Sequence, residues 1–245
     1  MVAEPVIDVC HLRTAFGDQI IHQDVSFSVN HGEIHAIIGA SGAGKTTILR
    51  SILMLNRPTA GQIKVFGVDV WHCDAPTAQR IRCSWGMMFQ GGALFSSLTV
   101  LQNIMFPMDE FTQLTRAQQR ELALLKIHLV GLPLTAADKY PSELSGGMRK
   151  RAAAARAIAL DPQLLFFDEP TSGLDPKGSN SFSQLIVELR DTLGLTVVMV
   201  THDVKLLATV TDKIVFLGEG RVLAHCPLAE LRQQSHSEIQ QYFKQ

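Results

Sequence analysis

One stretch, Gly39-Ala40-Ser41-Gly42-Ala43-Gly44-Lys45-Thr46, constrains this chain more than any other. It has the form G-x-x-x-x-G-K-[ST], whose glycines let the backbone turn several N–H groups towards one anion. The lysine of such a loop can reach the outer phosphates of a nucleotide, and the last hydroxyl can ligate Mg²⁺. An apolar run at 34–38 precedes the loop, and 46–53 has helical spacing. The sequence therefore predicts a phosphate-binding loop between a buried strand and a helix N-terminus.

Composition limits the partners of such a loop. The 245 residues are enough for one large domain, or for a domain with an inserted lobe. The net charge is −1 and no acidic tail is present, so no global field favours nucleic acid and we expect no nucleic-acid partner. The four cysteines form no C-x-x-C pair, which favours free thiols in a reducing compartment.

The sequence shows no segment that targets or spans a membrane. Residues 1–5 contain no basic region and no apolar run, which argues against export. No run approaches the roughly 20 apolar residues that a membrane-spanning helix needs. If the protein works at a membrane, we therefore expect another chain to hold it there.

Periodicity predicts an α/β core with a helical insertion. Strand patterns occur at 6–9, 25–29, 34–38, 57–67 (with a flanking loop and turn), 84–90, 163–167, 195–200, 213–217 and 221–225. Helical spacing occurs at 100–105, 115–130, 147–160, 181–193 (ending at Gly194) and 228–243. We interpret 1–245 as a single domain, with 1–90 and 161–245 as the α/β core and 91–160 as a helical subdomain.

Two adjacent carboxylates follow the apolar strand 164–167. Asp168 can hold Mg²⁺, directly or through water, opposite Thr46. Glu169 points to the other side of the strand and is placed to polarise an attacking water. A strand followed by an acidic turn is a common structural arrangement, but the phosphate loop upstream favours the catalytic interpretation.

A second anion site is predicted where Ser145, Gly146 and Gly147 begin a helix, since exposed N–H groups are available there. One chain does not need two helix-N-terminal phosphate sites for one nucleotide. A head-to-tail pair of chains does, because each nucleotide is then clamped between the loop of one chain and this segment of the other. The sequence thus predicts a homodimer.

Taken together, these motifs resemble the full motif set of ABC-transporter ATPase subunits. The set covers most of the chain from Phe16 onwards and consists of 39–46, Gln90, 144–147, 164–169, 172–175 and His202. The resemblance implies an α/β fold with a P-loop NTPase (RecA-like) core, an antiparallel β subdomain and an inserted helical subdomain. It also implies ATP and Mg²⁺ as cofactors, and an ATP-hydrolysing subunit that drives an integral-membrane permease.

The resemblance also assigns roles to single residues. It implies nucleotide binding by Phe16, Gly39, Ser41, Gly42, Ala43, Gly44, Lys45, Thr46, Thr47, Ser145, Gly146, Gly147 and Asp175. Within that set, Phe16 would stack on adenine, with packing on the core as its alternative, and Asp175 would bridge the two chains. Mg²⁺ would be held by Thr46, Gln90 and Asp168. The catalytic residues would be Glu169, Gln90 and His202, the last bonding the γ-phosphate and orienting Glu169.

Two positions depart from the family pattern. Met148 replaces the glutamine that usually ends the segment after Leu144, and Phe16 replaces the usual tyrosine. Neither change removes a phosphate contact, so we expect hydrolysis to survive.

A softer resemblance points to the ATPases of Mla-type transport systems. It is carried by 89–100, 106–107, 111–114 and the Ser-Gly-Gly-Met sequence at 145–148. It implies movement of phospholipid across the bacterial envelope, an MCE-domain partner, and a place on the cytoplasmic face of the inner membrane. The alternative is an amino-acid or other small-solute importer.

Apolar residues just after Gln90 are candidates for permease docking in the interval Gln90–Phe106. They are Leu94, Phe95, Leu98 and Phe106. Exposed apolar side chains there would mark a groove for a permease helix. As an alternative, each of them can belong to the core of the helical subdomain itself.

Basic residues cluster on the helix predicted at 147–160. They are Arg149, Lys150, Arg151 and Arg156. We expect them to form a solvated or ion-paired face.

Two other classes of nucleotide-binding protein fit less well. ATP-driven switches of DNA repair or translation would show two cassettes, a long coiled-coil insertion or a basic surface, none of which is visible. P-loop kinases and GTPases have no use for the segment 144–147, and no Asn-Lys-x-Asp guanine-binding sequence occurs.

Overall fold

The computed structural model describes residues 4–244, which form ten strands and nine α-helices. The strands are β1 (Ile7–Phe16), β2 (Gln19–Val29), β3 (Ile34–Gly39), β4 (Ala60–Val65), β5 (Val68–Asp69), β6 (Trp85–Met88), β7 (Leu164–Asp168), β8 (Thr196–Val200), β9 (Lys213–Gly218) and β10 (Arg221–Cys226). The helices are α1 (Lys45–Ile52), α2 (Ala75–Cys83), α3 (Val100–Phe111), α4 (Arg116–Leu129), α5 (Gly146–Ala157), α6 (Pro176–Leu193), α7 (Val204–Val210), α8 (Leu228–Leu231) and α9 (Ser237–Tyr242). These residues form two compact units, 4–82 with 196–244, and 83–195.

The first unit is built on strands in the order β5-β4-β1-β2-β10-β9-β3-β8. One end is antiparallel, since β1 pairs antiparallel with both β2 and β4, and β4 pairs antiparallel with β5. At the other end, β3 lies parallel to β8 and β9. All six residues of β3 are buried, which fits an apolar strand covered on both faces. The unit therefore combines a parallel core with an antiparallel β subdomain.

Helix α1 leaves the carboxyl end of β3 and packs back on the first unit. Its N-cap, Gly44, has left-handed backbone angles, so the helix begins at Lys45. Ile48, Leu49 and Ile52 form its buried face. Burial of each such side chain contributes about 1.5–3 kcal/mol. The phosphate loop is therefore anchored at both ends by buried apolar residues.

The second unit pairs β6 with β7 and surrounds them with helices. The two strands are parallel, with Met88 opposite Phe167. Helix α5 packs on β6 through a buried run of alanines at 152–155. A Cβ at Gly86 would overlap the carbonyl oxygen of Ala157, so the close approach of this strand to α5 requires glycine. Helices α3 and α4 complete the packing against α5.

Most of the predicted elements are confirmed, and their ends follow local capping. Helix α6 ends at Gly194, as predicted, with φ of 64° at that glycine. It begins at Pro176, five residues before the predicted start of 181, because the Asp175 carboxylate accepts a hydrogen bond from the Gly178 N–H at 2.7 Å. Proline at the first helical position favours the same start.

The segment 228–243 is helical, as predicted, but its helix is interrupted. The structure has two short helices there, α8 and α9, whose buried residues are Leu231 and Ile239. The intervening residues 232–236 are Arg, Gln, Gln, Ser and His, so no apolar side chain connects the two buried positions. Helices α2 and α7 were not predicted. Helix α2 buries only Ala78 and Ile81, which gives a weak periodic pattern.

Candidate active site

The loop 39–44 has the backbone shape of an anion cradle. Positive φ angles occur at Gly39 (151°), Gly42 (83°) and Gly44 (84°). A Cβ at Gly39 would overlap the Leu217 carbonyl oxygen, whereas one at Gly42 would meet no atom of residues 4–244 within 4 Å. Gly39 is therefore required by packing and Gly42 by its φ angle. The loop leads into the first turn of α1, whose N–H groups are available to an anion.

Lys45 lies folded over this cradle. Its Nζ donates hydrogen bonds to the carbonyl oxygens of Gly39 and Ala40, both at 2.9 Å. An ammonium binds an anionic phosphate more strongly than a neutral carbonyl oxygen, so an anion in the loop would compete with these carbonyls for Lys45. Thr46 and Thr47 are half-buried, while Ser41 is exposed. Ala43 is half-buried and contributes its carbonyl to a contact that the sequence did not predict.

That contact comes from His22, on β2. The imidazole is fully buried, and its Nε2 lies 3.2 Å from the Ala43 carbonyl oxygen. Because a carbonyl only accepts, Nε2 carries the proton, and Nδ1 accepts from the Thr14 hydroxyl at 2.7 Å. Burial lowers the pKa of His22, which favours this neutral form. A Cβ at Gly44 would overlap the same ring, so the His22 ring packs directly against the loop.

We expect His22→Leu to weaken ATP binding by about 3- to 10-fold, because one buried hydrogen bond to the loop is lost. The measurement is an equilibrium titration with ATP. His31→Leu is the matched control, since His31 is exposed and follows β2 in the same unit. Equal affinities of His22→Leu and the unchanged chain would show that the loop holds its shape without this ring.

Parallel pairing places His202 and the phosphate loop at the same edge of the first unit. Ile37 of β3 lies opposite Val200 of β8, so the segments that follow these two strands both start at the carboxyl edge. His202 follows β8 by two residues and is exposed. Phe16 ends β1, and its side chain is 55% exposed. This exposure disfavours the alternative that Phe16 packs in the core.

The second unit brings Gln90, Asp168 and Glu169 to one edge. The parallel register of Met88 with Phe167 puts the residues after β6 beside those that end β7. Gln90 is exposed, and both carboxylates are half-buried. Glu169 has φ of 51°, which is uncommon for a residue with a side chain. Such backbone angles persist where the surrounding structure fixes them, and they concentrate at functional sites.

The prediction that the basic cluster on α5 is a solvated or ion-paired face is wrong for three of its residues. Lys150 is buried, and its Nζ donates to the Glu169 carbonyl oxygen at 3.0 Å. Arg156 donates to the carbonyl oxygens of Ala93 and Gly92, at 2.8 and 3.0 Å. Burial lowers the pKa of both groups. Arg151 is half-buried and donates to the Val130 carbonyl oxygen and to the Ser181 hydroxyl. Arg149 is exposed, as predicted.

Ser145 and Asp175 line one open cleft in the second unit. Its wall consists of 145–147, 173–175, Lys177, Gly178 and Ser181. Ser145 caps α5 by accepting a hydrogen bond from the Met148 N–H at 3.3 Å. A Cβ at Gly147 would meet no atom within 4 Å, and one at Gly146 would touch only Leu174, at 3.9 Å. Nothing inside the described part of the chain therefore requires these two positions to be glycine.

A phosphate loop, a pair of strand-end carboxylates and a glycine-rich helix start define an ATP-binding cassette. The chain matches the ABC transporter family over residues 22–172, and it belongs to that family. The predicted family is thereby confirmed.

Curated relatives carry different transport names. The chain is 38% identical to the intermembrane phospholipid transport system ATP-binding protein MlaF of Haemophilus influenzae, over 98% of this chain and 90% of that protein. It is 41% identical to the methionine import ATP-binding protein MetN 1 of Rhodococcus jostii, over 96% of this chain and 70% of that protein. It is 38% identical to the probable ribonucleotide transport ATP-binding protein mkl of Mycobacterium leprae, of which it spans 68%. Two further mkl sequences, from Mycobacterium tuberculosis and Mycobacterium bovis, are 37% identical, and the chain spans 66% of each.

Solved structures agree with the fold. The ATP-binding cassette MJ0796, in a dimeric post-hydrolysis state bound to ADP and Pi, has a TM-score of 0.81 and 30% identity, over 91% of this chain and 98% of that one. CbiO1 of Clostridium perfringens, part of the ABC transporter complex cbiONQ, has a TM-score of 0.86 and 27% identity, over 95% of this chain and 92% of that one. The predicted P-loop NTPase fold is confirmed, and the chain is an ABC-transporter ATPase that binds ATP.

Proposed function

We propose that two copies of this chain bind two ATP molecules between them, each ATP held by the loop 39–46 of one copy and by 145–147 of the other. The observation that carries this proposal is the open cleft beside Gly146 and Gly147. Neither glycine has a positive φ angle, and no other segment of residues 4–244 fills either position. Glycine at such positions suits the close approach of a ligand to the backbone. Asp175, in the same cleft, would bridge the two copies.

Oxygen donors for Mg²⁺ are present among the candidate residues. We assign this role to the Thr46 hydroxyl, the Gln90 amide oxygen and the Asp168 carboxylate. Among residues 4–244 no cluster of three or more His, Cys, Asp or Glu side chains could hold a metal. Magnesium fits this donor set, because it is usually bound by one or two carboxylates together with substrate phosphates and water. When bound, it neutralises charge on the phosphates.

Hydrolysis would then depend on positioned side chains with little covalent chemistry. Glu169 would act as the base that polarises the attacking water. His202 would hydrogen-bond the γ-phosphate and orient Glu169, and Gln90 would contact the same water. Lys45 and the loop N–H groups would bind the charge that develops on the phosphate oxygens. Phe16, with its exposed ring, would stack on adenine.

The transported cargo in this proposal is phospholipid. The MlaF relative supports it, because the comparison covers 90% of that protein. The chain would sit on the cytoplasmic face of the bacterial inner membrane, bound to a permease and, through it, to an MCE-domain protein. Within residues 4–244 no helix is long and apolar enough to cross a membrane. Attachment through the helical subdomain 91–160 is therefore part of the proposal.

Two aromatic rings in that subdomain form the candidate docking site. Phe95 and Phe106 are 44% and 41% exposed, and their ring centroids are 4.8 Å apart. The buried Asn103 fixes the backbone of Phe95, accepting from its N–H at 2.8 Å and donating to its carbonyl at 3.1 Å. The Arg156 guanidinium lies 5.8 Å from the Phe95 ring centroid. The pair is thus exposed, and hydrogen bonds hold the backbone of Phe95 in place, which lowers the entropic cost of binding through that residue.

We expect Phe106→Asp to reduce co-purification of the permease by about tenfold, since exposed aromatic anchors dominate such interfaces. ATP binding by the isolated chain should be unchanged, because the side chain does not belong to the buried core. The matched control is Phe111→Asp, at the end of the same helix and 52% exposed. Equal recovery of the permease with both variants would contradict the docking site.

The same purified complex distinguishes the cargo. An associated MCE-domain protein and bound phospholipid would support the proposal. The second candidate, import of a small solute, is favoured by the 41% identity to the methionine import protein. A complex that contains a solute-binding protein and no MCE-domain protein, and whose ATPase responds to methionine, would establish that alternative.

A further inference from the structure

Lys150 is a buried lysine next to the proposed base. The residue is 6% exposed, on a helix whose preceding residue, Arg149, is exposed. Burial of an ammonium is unfavourable unless it is paired and hydrogen-bonded. Among the described contacts of Lys150, Nζ donates to the Glu169 carbonyl oxygen at 3.0 Å. The carboxylates of Asp168 and Glu169 are the charges that stabilise its protonated form.

The Glu169 carbonyl is fixed by two donors. Besides Lys150 Nζ, the Ser172 N–H donates to the same oxygen, at 3.3 Å. The peptide that follows Glu169 is therefore held from two directions while Glu169 itself adopts φ of 51°. An L-residue leaves this backbone region easily unless neighbouring groups fix it. The direction of the Glu169 side chain depends on the same backbone angles.

We propose that Lys150 is a positioning residue for Glu169: its ammonium holds the Glu169 carbonyl, and so keeps the carboxylate where it can polarise the attacking water. This inference rests on the proposed function of Glu169. Lys150 itself need not touch ATP. Its effect should therefore appear in turnover and leave nucleotide affinity unchanged.

Helix α5 gives this contact a second consequence. The helix begins beside Ser145, which in the proposed dimer faces the ATP held by the partner's loop. Lys150 lies in the next turn of the same helix. In the proposed dimer, helix α5 of one copy would therefore carry two features. Its 145–147 segment would complete the ATP site of the partner's loop, and its Lys150 would position Glu169 at the ATP site of its own loop.

The test compares three variants of the full chain by steady-state ATP hydrolysis and thermal unfolding. For Lys150→Met, which keeps the side-chain length and removes the charge, we expect kcat to fall by about 10- to 100-fold with KM for ATP within about twofold. Lys150→Arg, which restores a charged donor, should recover kcat to within about threefold. Lys126→Met is the matched control, since Lys126 is also buried in the second unit but pairs with Asp161. It should lower Tm and leave kcat unchanged.

A folded Lys150→Met with undiminished kcat would overturn the inference, and so would an equal loss of kcat in Lys126→Met. If Lys150→Met does not fold, Lys150→Gln takes its place and should show the same loss of kcat. Glu169→Gln is measured in parallel. Slow turnover in Glu169→Gln together with full turnover in Lys150→Met would reject the role of Lys150 and leave Glu169 as the base. Full turnover in Glu169→Gln would reject the assigned base.

Discussion

Glu169→Gln is expected to bind ATP about as tightly as the unchanged chain and to hydrolyse it about 100-fold more slowly, or slower still. Glutamine has the shape of glutamate, so the contacts of the strand end are preserved. Its amide cannot accept a proton from water, so the general-base contribution is lost. Because binding survives and hydrolysis does not, the variant should accumulate as an ATP-bound dimer.

The arrangement around Glu169 supports a large loss of hydrolysis on substitution of this residue. The residue directly follows β7, beside the chain that leaves β6 towards Gln90. It is half-buried and has a fixed left-handed backbone. A group with this placement can be held within hydrogen-bonding distance of a water, as a general base requires.

Phosphate release at saturating ATP measures turnover, and size-exclusion chromatography with and without ATP measures the dimer. Glu188→Gln is the control, since Glu188 is exposed on α6 in the same unit and should tolerate the same chemical change. A Glu169→Gln protein that releases phosphate at the unchanged rate would require another base.

The conformation of the loop 39–44 and the position of the two carboxylates at the end of β7 could be predicted because both are local. The glycines at 39, 42 and 44 determine the loop angles within a few residues, and the apolar runs on either side predict the strand and the helix. Gly194 ends α6 for a similarly local reason. The family resemblance rests on the same short segments, and the family match over 22–172 confirms it.

Contacts between distant segments could not be predicted in this way. His22 reaches the loop only because β1 and β2 pair with Thr14 opposite His22. A solvated or ion-paired face is the expectation for Lys150 and Arg156, because charged residues are rarely buried unless they are paired. Both find backbone carbonyl partners, 19 residues away for Lys150 and 63 and 64 residues away for Arg156. A single sequence contains no periodic signal for such partners.

Mixing two inactive variants is expected to restore ATP hydrolysis, because each would damage a different half of a shared site. Lys45→Ala removes the ammonium that reaches the phosphates, and it should abolish nucleotide binding or hydrolysis by its own loop. Gly147→Asp places a carboxylate where the partner's γ-phosphate would bind. The fold should tolerate it, since a Cβ there meets no atom of the described residues within 4 Å, and an acidic residue in the first turn stabilises a helix.

In a mixed dimer, the intact loop of the Gly147→Asp chain faces the intact 145–147 segment of the Lys45→Ala chain. One of the two sites is then complete. With random pairing half of the dimers are mixed, so an equimolar mixture should hydrolyse ATP at about a quarter of the unchanged rate. The activity is recovered only if each ATP site takes its loop 39–46 from one chain and its 145–147 segment from the other.

The matched control combines Lys45→Ala and Gly147→Asp in one chain and mixes it with the unchanged chain. Every mixed dimer then has two damaged sites, so activity should come only from unchanged pairs, again about a quarter of the rate. In a protein that works as a monomer, that mixture would keep about half of the rate, and the two single variants would restore nothing on mixing. The pair of mixtures thus separates sites shared between chains from sites complete within one chain.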